Sequence, residues 1–133
     1  MAFATATVVT NKGKAMFADR VQTTAATYTT APKFVRYGTG ATAAARSAQA
    51  TDTALSVSAN TSTTGVESIT TITNTGDVYR VVGTIGATGA AAIDEAGLFD
   101  AATVGNMFTS ATHAVINLAS GDSIQYTWNV QVT

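Results

Sequence analysis

Cysteine is absent from this chain of 133 residues. That removes disulfides, thiolate metal sites and cysteine nucleophiles together, and it leaves the fold indifferent to the redox state of its compartment. Histidine occurs once, at His113. A zinc site would need carboxylates for its other ligands, and a Ser-His-Asp triad could be built only around that residue; no G-x-S-x-G elbow accompanies it. Charged residues make up 11% of the chain, against roughly 25% in an ordinary domain. No run of about 18 apolar residues occurs, which excludes an ordinary transmembrane helix. The opening stretch MAFATATVVTNKGK lacks a positive segment ahead of its apolar residues and a cleavage context, so no signal peptide is expected. These absences predict a soluble single domain of cytoplasmic origin, with no enzyme activity, no cofactor and no membrane partner.

Alanine and threonine fill the space left by charge. A surface of methyls and hydroxyls loses little by desolvation when it meets another protein, which suits extensive contact. The charge that remains is unevenly placed. Residues 1–50 hold Lys12, Lys14, Arg20, Lys33, Arg36 and Arg46 against Asp19 alone, a net +5, whereas residues 51–133 hold Arg80 against seven carboxylates, a net −6. Such halves suit intramolecular pairs, head-to-tail contacts between copies, or a basic foot on an acidic scaffold. The six basic residues are dispersed and not interleaved with aromatics, so no nucleic-acid partner is expected.

Along the chain the period-two pattern dominates. Residues 1–10 predict an N-terminal arm or first strand, and 11–22, NKGKAMFADRVQ, a short helix whose apolar face is Met16, Phe17 and Val21, with Asn11 as its N-cap. Lys12 and Lys14 oppose the helix dipole in the first turn, which hints at an anionic partner. KFVRYGTG reads as a strand. Residues 41–65 read as a long loop that could hide a short helix around Thr51–Leu55. VESITTIT and VYRVVGTI, joined at Asn74–Asp77, predict a hairpin. IDEAGLF, MFTSAT and HAVINLA follow as strands. In the last strand Ile124, Tyr126, Trp128, Val130 and Val132 alternate with polar residues, one face for a core and one for water. The sum is a mainly β, single-domain β-sandwich or jelly-roll-like fold with one N-terminal helix.

Few residues invite a site. The glycines of GTGATAAA and GTIGATGAAA lack the lysine of a phosphate cradle and the strand-turn-helix of a dinucleotide fingerprint, and read as turns. Asp94, Glu95, Asp100 and Asp122 match no calcium loop. Glu95 shares a face with Ile93, Gly97 and Phe99, which makes it a half-buried carboxylate needing a partner such as Arg36 or Arg80. In a strand, His113 would share a face with Val115 and Asn117. Tyr28, Tyr37, Tyr79 and Tyr126 would suit carbohydrate if any pair lay exposed on one face.

The pieces NKGKAMFADR, KFVRYGTGATAAA, DTAL, VYRVVGTIGATGAAAIDEAGLFDAA, GNMF and HAVINLASGDSIQYTW, in that order, resemble small structural proteins of tailed bacteriophages that are labelled tail fibre or head decoration proteins. The distinctive combination is EAGLFDAA, then NMF, then INLASGDSIQYTW; EAGLFD also looks like a stretch of tail-collar fibre domains. The chain lacks the heptads and long repeats of a fibre. The resemblance therefore implies a capsid cement protein on the outer face of an icosahedral head, made in the host bacterial cytoplasm. It also implies a homo-oligomer, with a trimer suiting threefold positions, and the major capsid protein as partner. No catalytic residue is carried over. A tail, collar, fibre or baseplate component is the alternative, and a carbohydrate-binding decoration the next.

Overall fold

In the computed structural model, residues 4–21, 27–41, 47–58 and 62–132 are described. One helix and nine strands follow in the order β1 (Ala4–Val9), α1 (Asn11–Val21), β2 (Phe34–Thr39), β3 (Val57–Ser58), β4 (Thr63–Thr64), β5 (Val66–Thr70), β6 (Val78–Gly86), β7 (Ala91–Phe99), β8 (Met107–Leu118) and β9 (Ser123–Gln131). They form two antiparallel sheets, a larger one in the order β1-β8-β7-β2-β3 with β4 on β2, and a smaller one in the order β5-β6-β9. The mainly β fold with a single short helix is the one the alternation implies. No helix among the described residues is long and apolar enough to cross a membrane.

The core lies between the sheets because each strand keeps one apolar face. Val35, Tyr37, Ala96, Leu98 and Ala111 of the larger sheet meet Val81, Ile85, Trp128 and Val130 of the smaller, with Ile124 and Tyr126 partly buried against them. In β9 the residues between these, Ser123, Gln125, Thr127 and Asn129, face water. Val132 departs from the expected face: it lies beyond β9 and is exposed. Successive strand residues point to opposite faces, so the larger sheet has a second apolar cluster on its outer side, where Phe99 and Met107 pack with Leu55 and Phe34. The segment 47–58 covers that side: Leu55 enters the cluster and the Ser110 hydroxyl donates to Asp52 at 2.7 Å. No helix forms at Thr51–Leu55; a turn and then β3 occupy this part of the long loop, and β4 lies near its end. Residues 42–46 and 59–61 of that loop are outside the described residues.

The first strand is a strand of its own sheet rather than a free arm, since Thr7 pairs with Ala111 and Val9 with Thr109. Met1–Phe3 are outside the described residues. Val9 leads directly into α1, and the cap is Thr10, not Asn11. Thr10 is fully buried; its Oγ1 accepts the Gly13 N–H at 3.0 Å and its hydroxyl donates to the Met107 carbonyl. The Asn11 N–H is already taken by the Ala50 carbonyl at 2.6 Å. Two of the first amides thus find acceptors within the chain, whereas Lys12 and Lys14 have no ion pair among the described residues. The expected helix is present over Asn11–Val21, and Gln22, its last expected residue, is outside the described residues. MFTSAT and HAVINLA are one strand, β8, whose register shifts between the Ile93–Ile116 and Glu95–Thr112 pairs. That irregularity changes which residues face inward, so His113 is buried while Val115 and Asn117 are exposed.

Candidate interaction surface

The carboxylates are spent on the chain's own loops. Asp19 accepts the amides of Thr27 and Tyr28, Asp52 that of Gln49, Asp94 that of Ala41, Asp100 that of Asn106, and Asp122 that of Ala119. Asp77 accepts three, from Ile72, Thr73 and Asn74, and the Gln131 side-chain amide besides. Glu95 is 1% exposed and accepts the Val57 N–H at 3.1 Å, which pins β3 beside β2. The guanidinium expected beside it is elsewhere: Arg36 donates to the Ala101 carbonyl at 2.9 Å and lies 4.1 Å over the Phe99 ring. Arg80 belongs to the smaller sheet, opposite Ser68 and Asn129. Burial lowers the pKa of the Arg36 guanidinium from its ordinary value, opposed by the Asp100 charge. No group of carboxylates or histidine that could hold a metal ion occurs among the described residues.

Hydrogen bonds from the Thr27 and Tyr28 amides hold the Asp19 carboxyl below its ordinary range, and those from Asn74 and Ile72 do the same, more strongly, for Asp77. A carboxyl whose folded pKa is depressed adds stability above its unfolded value, about 3.9, and that contribution is lost as pH falls through the folded value. The melting temperature should therefore hold steady from neutral pH down to about pH 5 and decline below about pH 4. Asp77→Asn should lower the plateau and flatten the acid limb. Identical acid limbs in melts of the two proteins would show that the Asp77 clasp is not formed.

The cations fare differently. Among the described residues the one ion pair is Lys33 with Glu67, at 3.3 Å. Lys12, Lys14 and Arg20 are exposed along α1. Arg46 is outside the described residues. Of the six cations expected to meet a partner, three remain for it on one helix, while Lys33 and Arg36 are engaged within the chain.

Beside α1 opens an apolar groove of about 340 Å³. Met16, Phe17, Tyr28, Ile69, Tyr79 and Phe108 line it, with Arg20 and Asp77 also on its wall. Phe17 lies tilted against Phe108 and Tyr79 meets it edge to face, with centroids 5.2 and 6.1 Å away. The Tyr79 hydroxyl turns aside to the Pro32 carbonyl, 3.0 Å, and Glu67, 3.2 Å; burial, then the Glu67 charge, pushes its pKa above the ordinary value. Tyr37 and Tyr126 are elsewhere, Tyr37 fully inside and Tyr126 stacked on Trp128. His113 Nδ1 lies 2.8 Å from the Ala114 carbonyl, so that nitrogen carries the proton, and Nε2 accepts from the Tyr126 hydroxyl at 3.0 Å. Burial raises the Tyr126 pKa, which keeps that hydroxyl a donor. Both ring nitrogens of His113 thus have hydrogen-bond partners within the chain.

The alternation pattern did not reveal that Ile69 and Val66 of β5 are exposed, at 64% and 75%. A signal was present: in VESIT each face of the strand carries one aliphatic and at least one polar residue, so neither face is apolar enough to be buried. No protein-family model, curated protein or solved structure matches the chain.

Proposed function

We propose that this chain is a structural protein of a bacteriophage virion, a cement or decoration protein that binds as an oligomer to the outer face of the head. The sequence resemblance supplies the class. The observation that carries the attachment chemistry is the three exposed cations of α1, Lys12, Lys14 and Arg20, without an ion pair among the described residues, on a β-sandwich whose carboxylates are drawn into its own loops. A shell presenting acidic side chains would meet this basic helix, and the low-charge remainder of the surface would add contact at little desolvation cost. Oligomerisation adds feet at high effective concentration, so weak contacts together hold the shell.

Rebinding of purified protein to undecorated particles at rising salt tests this reading. Parent protein should associate with a rate that falls steeply with salt; Lys12→Glu with Lys14→Glu should be slower by about tenfold at low salt and less salt-sensitive, because exposed charges steer encounter within a Debye length of about 8 to 10 Å. Equal rates and slopes would remove the helix from the attachment surface. A label found on the tail, collar, fibre or baseplate would move the protein to that part of the particle. One observation favours carbohydrate as a second reading: Tyr28 and Tyr79 share the groove wall. A glycan array tests it.

A further inference from the structure

The connection from β7 to β8, residues 100–106, is a closed clasp. The Asp100 N–H donates to the Asn106 carbonyl at 3.2 Å, and the Asn106 backbone and side-chain amides donate to the two Asp100 oxygens at 2.7 and 2.9 Å. Outside groups brace it, Arg36 on the Ala101 carbonyl at 2.9 Å and Ser62 Oγ on the Ala102 carbonyl at 2.7 Å. The turn is so tight that a Cβ on Gly105 would lie 2.7 Å from the Ala101 nitrogen. At its tip stands Val104, with φ at +48° and its side chain 100% exposed. A β-branched residue in the left-handed region is a steric outlier, and such strain persists only where the surroundings over-determine it. Within one copy this brings no return: asparagine or glycine would make the turn more easily, and an isopropyl group in water buries nothing. A rigid apolar tip held out at a conformational cost is shaped for something outside the chain, and its rigidity reduces the ordering cost of binding.

We propose that the 100–106 loop of one copy seats Val104 in the aromatic groove of a second copy. The groove offers Phe17, Tyr28, Ile69 and Phe108 as walls for an apolar tip. Tyr28 and Thr30 line both the groove and the trough beside Val104, so tip and receptor lie side by side at one end of the molecule. Copies related by rotation about an axis at that end present loop to groove and groove to loop, which closes the assembly. The charges agree. Arg20 on the groove has no ion pair among the described residues, and the Asp100 carboxylate that the loop brings keeps its negative charge although its oxygens already accept the two Asn106 amides. This contact gives a location to the self-association assumed in the virion reading, but it belongs to the isolated protein and is tested without a shell.

The absence of cysteine makes the test direct. Val104→Cys protein carrying a tag is mixed with untagged Ile69→Cys protein under a mild oxidant. Thr127→Cys, an exposed position on β9, replaces Ile69→Cys in the control. Mixed 104–69 disulfides should form at least about tenfold faster than 104–127 disulfides. Val104→Asp, introduced with Ile69 and the loop clasp intact, should weaken concentration-dependent association in sedimentation velocity by at least about tenfold while leaving the circular dichroism spectrum unchanged. Cross-linking no faster at position 69 than at 127, or association of Val104→Asp equal to that of the parent, overturns the proposal. Success here with failure of the particle-binding experiment would leave the contact standing and remove only the virion role.

Discussion

Trp128→Ala should lower the free energy of unfolding by about 3 to 5 kcal/mol, while Thr127→Ala, its neighbour on the same strand, should change it by less than about 0.5 kcal/mol. The two residues differ in face, not in position along the chain. Trp128 is 6% exposed, stacks with Tyr126 at 6.4 Å and lies opposite Val81, in the layer where the two sheets meet. Its removal deletes a large transfer contribution and leaves a cavity that rigid strands on both sides cannot close. Thr127 points to water. Trp128 Nε1 is buried with no hydrogen-bond partner among the described residues. Trp128→Phe should therefore cost less than the loss of ring area alone would suggest, because it also removes an unpaired donor. Urea unfolding at unchanged slope measures all three; equal, small losses at 127 and 128 would mean the strand register is wrong.

Gly13→Ala pits local preference against tertiary contact. In an exposed helix the change would stabilise by about 1 kcal/mol, since glycine carries a large backbone entropy cost. Here a Cβ at residue 13 would lie 2.2 Å from the Phe108 carbonyl oxygen and 2.9 Å from Val9 Cγ1. A backbone oxygen in a central strand cannot swing aside as a side chain can, so α1 must lift from β8. The expected net result is a loss of about 1 to 3 kcal/mol. Ala15→Gly, at an exposed site of the same helix, should cost about 1 kcal/mol and calibrates the propensity. A Gly13→Ala protein more stable than the parent would show that the helix does not dock on β8.

How much of this was legible beforehand depended on how local its cause was. The β9 alternation and the β5–β6 hairpin follow from side-chain period and turn chemistry, and both were readable. The helix was readable as well from Met16 and Phe17, but Val21, expected on the same apolar face, is 84% exposed at the end of α1. The helix cap was not readable. Asn11 and Thr10 are both good caps in isolation, and the choice falls to Thr10 because the Met107 and Phe108 carbonyls, far along the chain, meet its hydroxyl and amide. Glu95 was rightly singled out as a carboxylate in need of a partner, but the donor identified is the Val57 backbone, and no pattern of charges announces a backbone amide. MFTSAT and HAVINLA read as separate strands in the sequence; pairing with β1 and β7 on both sides makes them one. The exposed cations of α1 were legible from composition. The groove beside them was not, since it joins residues from α1, the 28–32 segment, β5, β6 and β8.

The pairing of β1 with β8 carries a consequence for biosynthesis. Thr7 finds Ala111, and α1 finds its seat on the same strand. Nearly the whole chain must therefore leave the ribosome before its first strand and helix have anything to pack on. The β5–β6 hairpin can close early, but β6 waits for β9, and the larger sheet waits for β8. Contacts of such sequence separation put loop closure ahead of any reward, which slows folding and leaves strand edges unpaired meanwhile. Folding of the larger sheet is thereby postponed until β8 has emerged. The low charge of the sequence then becomes a hazard during that interval, and truncated chains that end before β8 should accumulate as aggregates rather than as partly folded domains.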